Sequence, residues 1–170
     1  MESVVKEIDK HGANNAFVQI SSNDADDKET EKVVNGFLRH KPYISYHANE
    51  TNLGIDKNHD LLYKYCNTKY VLLLADDDLL LDGTLNVLVQ NCINYDFLFA
   101  ICNQRFCRNG ILDDAKLFDG NGVEQLTKVE AFRKFTVNQP GPILPLIPYF
   151  GGIVINMEKV NVLISDADRK

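Results

Sequence analysis

Short apolar stretches alternate with polar, turn-forming ones along this chain, and the apolar spacing switches between helical and extended periods. Residues 2–10 place Val4, Val5 and Ile8 on one side of a helix. Ala16 to Ile20 reads as a short strand, and Ser21 to Asp27 as a polar loop. From about residue 28 to 40 the pattern is helical again, with Val33, Val34, Phe37 and Leu38 as the apolar stripe, and Pro42 stops it. Tyr43 to His47 alternates like a strand, and Asn52-Leu53-Gly54 is a turn. Asp56 stands where a cap is expected for a helix that runs to about Cys66 and buries Leu62 and Cys66. The run Tyr70-Val-Leu-Leu-Leu-Ala75 reads as a strand buried on both faces, the kind found in parallel sheets. Asp82-Gly-Thr84 opens another helix with Leu85, Leu88 and Val89 inward, and 96–101 is a further strand. Strands alternating with helices imply βαβ units, hence an α/β fold with a mostly parallel sheet flanked by helices.

The second half changes character. Residues 103–125 read as loop-rich, with Gly110, Gly120 and Gly122, and Val129 to Phe135 as a short helix. Gln139 to Pro148 holds four prolines in ten residues, which excludes regular structure. Gly151-Gly152 then leads into a strand at Ile153 to Ile155. No internal repeat or linker interrupts the pattern, so a single domain is expected over 1–170.

Composition narrows the function classes. At 170 residues, with 45% hydrophobic and 25% charged side chains, the chain suits one globular domain. A net charge of −6 argues against nucleic acid as a partner, but not against a nucleotide whose phosphates are met by a metal ion. There is no apolar run of about 18 residues to cross a membrane, and Met1 to Lys6 shows no signal-peptide pattern. A cytoplasmic placement is expected from this, with peripheral association at the inner face of the membrane. The cysteines, Cys66, Cys92, Cys102 and Cys107, have no CxxC spacing, so reduced and mostly buried thiols are expected rather than zinc. His11, His40, His47 and His59 likewise show no metal spacing. Asn49-Glu-Thr51 matches a glycosylation sequon by chance.

The chemistry concentrates at Asp76-Asp77-Asp78, where the aliphatic run ends. Ligands of open α/β sheets bind outside the carboxyl ends of the strands. In an extended segment Asp76 and Asp78 would share one face and Asp77 the other. Two neighbouring carboxylates repel unless something neutralises them, and a hard divalent cation shared with substrate phosphates is the natural occupant. The plainer reading is a solvated acidic cap on a following helix. Gly54 allows a tight turn and close approach of a base or ribose to the backbone, or is an ordinary loop glycine. Lys57 and Asn58 reach toward a base or phosphate, or sit on a wet helix face.

Three stretches in order, Ile20-Ser-Ser-Asn-Asp-Ala-Asp-Asp27, Asn52-Leu-Gly-Ile-Asp-Lys-Asn58 and Tyr70-Val-Leu-Leu-Leu-Ala-Asp-Asp-Asp78 followed by Leu81-Asp-Gly-Thr-Leu85, resemble the core of family 2 glycosyltransferases. The resemblance covers roughly residues 1–100. It implies a GT-A-like, Rossmann-like fold, with about 1–101 as the half that binds a nucleotide-sugar and about 102–170 as a partial acceptor-side half. It implies transfer of a sugar, with inversion, from a nucleotide-diphosphate sugar, a UDP-sugar foremost, to a glycan or lipid-linked acceptor in polysaccharide biosynthesis. By that likeness Asp76 lies near the ribose, Asp78 binds Mg²⁺ or Mn²⁺ on the diphosphate with Asp76 beside it, and Asn23, Asp24, Gly54, Asn58 and Asp77 complete the nucleotide-sugar site.

The chain also departs from the family pattern. The first Asp of the family's D-N-x-S-x-D loop is Ser22 here, with Asn23 and Asp24 as substitutes. The acidic cluster Asp24, Asp26, Asp27, Glu29 and Glu31 has a simpler reading as a capped helix start. The family's opening strand, of the pattern V-x-I-P-x-Y-N, is missing, and Gly151-Gly152 resembles the Gly-rich wall that precedes the family's catalytic acid. No catalytic base is assigned, and Asp166 and Asp168, the late acidic pair, are given no role. The chain therefore also reads as a truncated paralogue, a catalytically inactive nucleotide-sugar-binding fragment. A phosphatase of the haloacid-dehalogenase type fits Asp82-Gly-Thr84 but has Leu80 at the nucleophile position. A metal-stabilised scaffold is the remaining rival.

Overall fold

The computed structural model of the protein describes residues 1–11, 16–24, 26–116, 122–127, 130 and 151–167. The Pro-rich stretch 139–148, Gly120, and all of the expected helix at 129–135 except Glu130 lie outside them. The elements in order are α1 (Glu2–His11), β1 (Val18–Ser22), α2 (Lys28–Leu38), β2 (Ile44–Ala48), α3 (Ile55–Tyr65), β3 (Tyr70–Leu73), α4 (Thr84–Asn94), β4 (Phe99–Ile101), β5 (Arg105–Arg108), β6 (Ile111–Lys116), β7 (Ile153–Asn156) and α5 (Met157–Ala167). The chain divides into two compact units, Met1–Val71 with Leu79–Asp96, and Leu72–Asp78 with Phe97–Lys170. The boundary between the two units falls inside β3.

In the first unit, β1 and β2 pair in parallel, Val18 opposite Ile44 and Ser22 opposite Ala48. The apolar stripe of α1 covers them. Val5 and Ile8 are buried with Tyr43 and Ile44, and Val18, Ile20, Phe37, Leu38 and Leu85 pack against that cluster. Asp27 caps α2, its carboxylate accepting from the Thr30 N–H at 2.9 Å, so this part of the acidic cluster is the helix start that its spacing suggested. Helix α4 has glycine at its N-cap position (Gly83, φ 80°) and so no cap of its own. Glu7 of α1, 1% exposed, supplies one from outside: its carboxylate accepts from the N–H groups of Gly83 at 2.9 Å and Leu85 at 3.0 Å. An anionic acceptor at the positive end of a helix is the physical reason a buried glutamate is tolerated there.

Helix α3 starts one residue after Gly54, whose φ of 79° suits glycine, so Asp56 lies inside the first turn rather than at the cap. Leu62 and Cys66 are only half-buried. None of the four cysteines forms a disulfide; three are half-buried and Cys107 is exposed, which corrects the expectation of mostly buried thiols.

The second unit holds a three-stranded sheet in the order β3-β7-β4. The last strand in sequence thus stands between two earlier ones. It runs antiparallel to β4, with Ala100 opposite Val154, so β3 and β4 are not the neighbouring parallel pair that a βαβ reading implies. Val154 and Asn156 are its buried positions. The Asn156 side chain accepts from the Lys159 N–H at 3.2 Å at the start of α5, a helix the sequence reading did not anticipate. Residues 105–116, expected as loop, form a β5–β6 hairpin. Its turn is Asn109-Gly110, both left-handed at φ 51° and 77°. That dipeptide is the preferred one for a two-residue hairpin turn, because both positions need positive φ.

Candidate functional site

Strand β3 ends at Leu73, two residues before Ala75, and its four residues are half-buried rather than buried on both faces. The chain then turns. Asp76 and Asp77 occupy the corner, closed by the Asp78 N–H donating to the Ala75 carbonyl at 3.2 Å. Strand alternation therefore does not govern these side chains, and Asp76 and Asp78 are not brought to one face by extended geometry as their spacing predicts. The triplet is not a helix cap either, since α4 begins at Thr84 behind Gly83. Asp76 and Asp77 are exposed and Asp78 is half-buried. Among the described residues no hydrogen bond or ion pair engages any of the three carboxylates.

Asp78 is backed by Gly151. A Cβ built on Gly151 would overlap the Asp78 carboxylate, with the Ala75 backbone nitrogen 3.7 Å from it. A side chain at 151 would require the Asp78 carboxylate to shift from the place it holds here. The glycine pair is itself fastened to the sheet: Gly152 donates to the Leu73 carbonyl at 3.0 Å, and its own carbonyl accepts from the Cys102 N–H at 2.7 Å. Gly152 has φ 72°, and Gln104 fills the space a side chain there would need.

The turn's donor set is carboxylate oxygen alone, which suits Mg²⁺ or Mn²⁺ and not a soft metal. No group of three or more His, Cys, Asp or Glu side chains gathers among the described residues to cage an ion. A cation here would take one or two carboxylates from the protein and the rest of its shell from phosphate and water, the usual Mg²⁺ arrangement. Asp78, packed against Gly151, supplies one such carboxylate, so the residues fit such an ion.

In the first unit, Asn23, Gly54 and Asn58 come together in a polar network whose hub the sequence reading missed. Asn49, 3% exposed, donates from its amide to Asn58 Oδ1 at 2.8 Å and to Asn23 Oδ1 at 3.2 Å. Ser21 donates to the same Asn58 oxygen at 2.6 Å. Asn23 also accepts from the Leu53 N–H at 2.8 Å and donates to Asn52, which accepts from the Gly54 N–H at 2.9 Å. Four asparagines thereby tie the loop after β1 to the loop after β2 and the start of α3. The clue in the sequence was three asparagines at positions 49, 52 and 58; Asn49 is buried at the hub of the network, and its match to a sequon is incidental. Asp24 accepts from the Asp26 N–H at 3.0 Å, and its backbone meets the Ser22 hydroxyl. Asn49 Oδ1 is buried without a partner among the described residues.

Of the other residues singled out, His47 of β2 stacks at a tilt on Tyr65 of α3, ring centroids 5.3 Å apart, a packing role. Asp166 lies on α5, and Asp168 is outside the described residues. No helix among the described residues is long and apolar enough to cross a membrane. A sequence model described as Glycosyl transferase family 2 matches residues 17–145, about three quarters of the chain. No curated protein matches, and no solved structure does.

Proposed function

Because the chain belongs to glycosyltransferase family 2, with the GT-A fold that membership carries, we propose that it transfers a sugar, with inversion, from a nucleoside-diphosphate sugar to a glycan or lipid-linked acceptor with the help of Mg²⁺ or Mn²⁺. Membership gives the reaction class, glycosyl transfer, and the need for a nucleotide-sugar donor and an acceptor. The observation that supports the rest is the turn at Asp76–Asp78: three carboxylates with no counter-charge among the described residues, one of them packed against Gly151 where a Cβ would meet it.

Asp78, with Asp76 beside it, would hold the cation, and Asp77 on the same turn would face the nucleotide-sugar. When bound, the ion supplies Lewis-acid stabilisation of the negative charge that builds on the departing diphosphate. The residues themselves act by position. Gly151 fixes where the Asp78 carboxylate sits. The asparagine network holds the Asn52–Gly54 turn and the start of α3 rigid, so that groups such as Gly54 and Asn58 present a fixed surface for a base or ribose, with Asn23 and Asp24 at the neighbouring loop. UDP is the first donor nucleotide to test. A cytoplasmic placement at the inner face of the membrane belongs to the same reading, and cell fractionation tests it.

The experiment is thermal unfolding with a panel of nucleoside diphosphates, each with and without Mn²⁺, followed by a donor-hydrolysis and transfer assay on the nucleotide that stabilises. Metal-dependent stabilisation by one diphosphate is the expected result, and a flat response across the panel would count against it. Stabilisation without turnover on any acceptor or water would favour the second reading, a nucleotide-sugar-binding module.

A further inference from the structure

The glycine pair beside Asp78 is held by one side chain that no part of the functional reading uses. Gln104, just beyond β4 and half-buried, donates from Nε2 to the Gly151 carbonyl at 2.8 Å. The N–H of the same peptide unit, on Gly152, donates to Leu73 at 3.0 Å. This peptide group is therefore clamped at both ends, once to β3 and once by Gln104. Its Gly151 Cα faces the Asp78 carboxylate so closely that a Cβ would overlap it. The amide of Gln104 also occupies the space that Gly152, at φ 72°, leaves open. Any rotation of the clamped peptide moves the surface on which Asp78 rests.

We infer that Gln104 is a positioning residue that sets the Asp78 carboxylate, acting through the Gly151–Gly152 peptide. The inference rests on the proposed role of Asp78 in metal binding. Outer partners of ligating carboxylates orient them, and their loss commonly weakens metal affinity by about 10- to 100-fold. Gln104 is not at the acidic turn, and its reach to Asp78 runs through backbone alone. A side-chain deletion there changes no charge and removes no candidate ligand.

The test is Mn²⁺ binding in the presence of UDP, read by loss of the free-ion electron paramagnetic resonance signal, on four full-length proteins: parent, Asp78→Asn, Gln104→Met and Gly151→Ala. Unfolding temperature without ligand is recorded for each. Gln104→Met keeps the bulk and removes the donor. The expected result is loss of binding in Asp78→Asn and roughly tenfold weaker binding in Gln104→Met, with a broadened bound-ion spectrum and little change in unfolding temperature. Gly151→Ala is expected to weaken binding at least as much, and Gln104→Met decides the matter if Gly151→Ala does not fold. Parent-like binding in Gln104→Met, with Asp78→Asn still defective, overturns the inference and leaves the functional reading standing. A lower unfolding temperature with unchanged affinity in Gln104→Met overturns it in the same way, as a purely structural role. Parent-like binding in Asp78→Asn removes both.

Discussion

The loops around Asn49 and the turn at Asp76–Asp78 are both polar, both follow short strands, and both were marked by the sequence as candidate ligand sites. They are built on opposite principles. Around Asn49 the polar side chains meet one another, with Asn49 Oδ1 the buried exception among the described residues: Asn23, Asn49, Asn52, Asn58 and Ser21 exchange hydrogen bonds across two loops and a helix start. At the turn, three carboxylates have no partner among the described residues, and Asp78 is held only by shape, against Gly151. A network that satisfies itself fixes a scaffold. Adjacent like charges left uncompensated hold stored repulsion that a cation relieves. Site residues are therefore better sought among polar groups the fold leaves unmatched than among polar groups as such.

That contrast can be broken most directly at Asp78. Asp78→Asn should lower turnover by about 10²–10³-fold, the usual effect of removing one stabilising group from a developing oxyanion. It should also abolish the Mn²⁺-dependent shift in unfolding temperature with UDP while leaving the unliganded protein as stable as the parent. A large stability change in the free mutant would mean the turn is scaffold after all.

Asn49→Ala makes the reverse prediction. It removes the buried amide that donates to half-buried Asn58 and Asn23 and should destabilise the protein by about 1–3 kcal/mol in urea unfolding, with Mn²⁺ affinity of the folded protein unchanged. Glu7→Gln probes the same scaffold more gently. The replacement keeps one acceptor for Gly83 or Leu85 but brings buried donors, and about 1–2 kcal/mol is expected. Equal effects of all three variants on stability and on metal binding would erase the distinction between the regions.

The smallest effects are those of pH on the scaffold. Hydrogen bonding to Lys41, and next to Tyr43, holds the Asp9 carboxyl below the usual carboxylate range; Thr30 does so for Asp27, and Lys10 for Asp82. Lowered in the folded state, these groups add stability above their unfolded value near 3.8 that is lost as pH falls through the folded values. Burial, aided by the hydrogen bond to Asp9, pushes the Tyr43 phenol up to about 12. Its contribution is complete below pH 10 and is lost as pH rises from 10 toward about 12. Tyr43→Phe should remove that alkaline loss in a pH-stability scan, and an unchanged profile would reject the assignment.

Much of the first unit was legible because its signals are local. The Val5 and Ile8 stripe, the Asp27 cap and the strand at Ile44 each depend on spacing within a few residues, and each appears where it was read. The Asn109-Gly110 turn is equally local, but with Gly110, Gly120 and Gly122 the segment reads as loop rather than as a hairpin. What local pattern cannot carry is who lies beside whom. Glu7 caps a helix more than seventy residues away, Asn49 joins two loops, and β7 enters the sheet between β3 and β4.

The order of motifs, with a run of aspartates behind an aliphatic strand, was enough to identify the family, since chemistry and chain order are written in sequence. Which aspartate is seated, and by what, was decided only in three dimensions. Gly151 and Gln104 meet Asp78 because backbone hydrogen bonds across a sheet bring together segments far apart along the chain, and no periodicity encodes such a meeting.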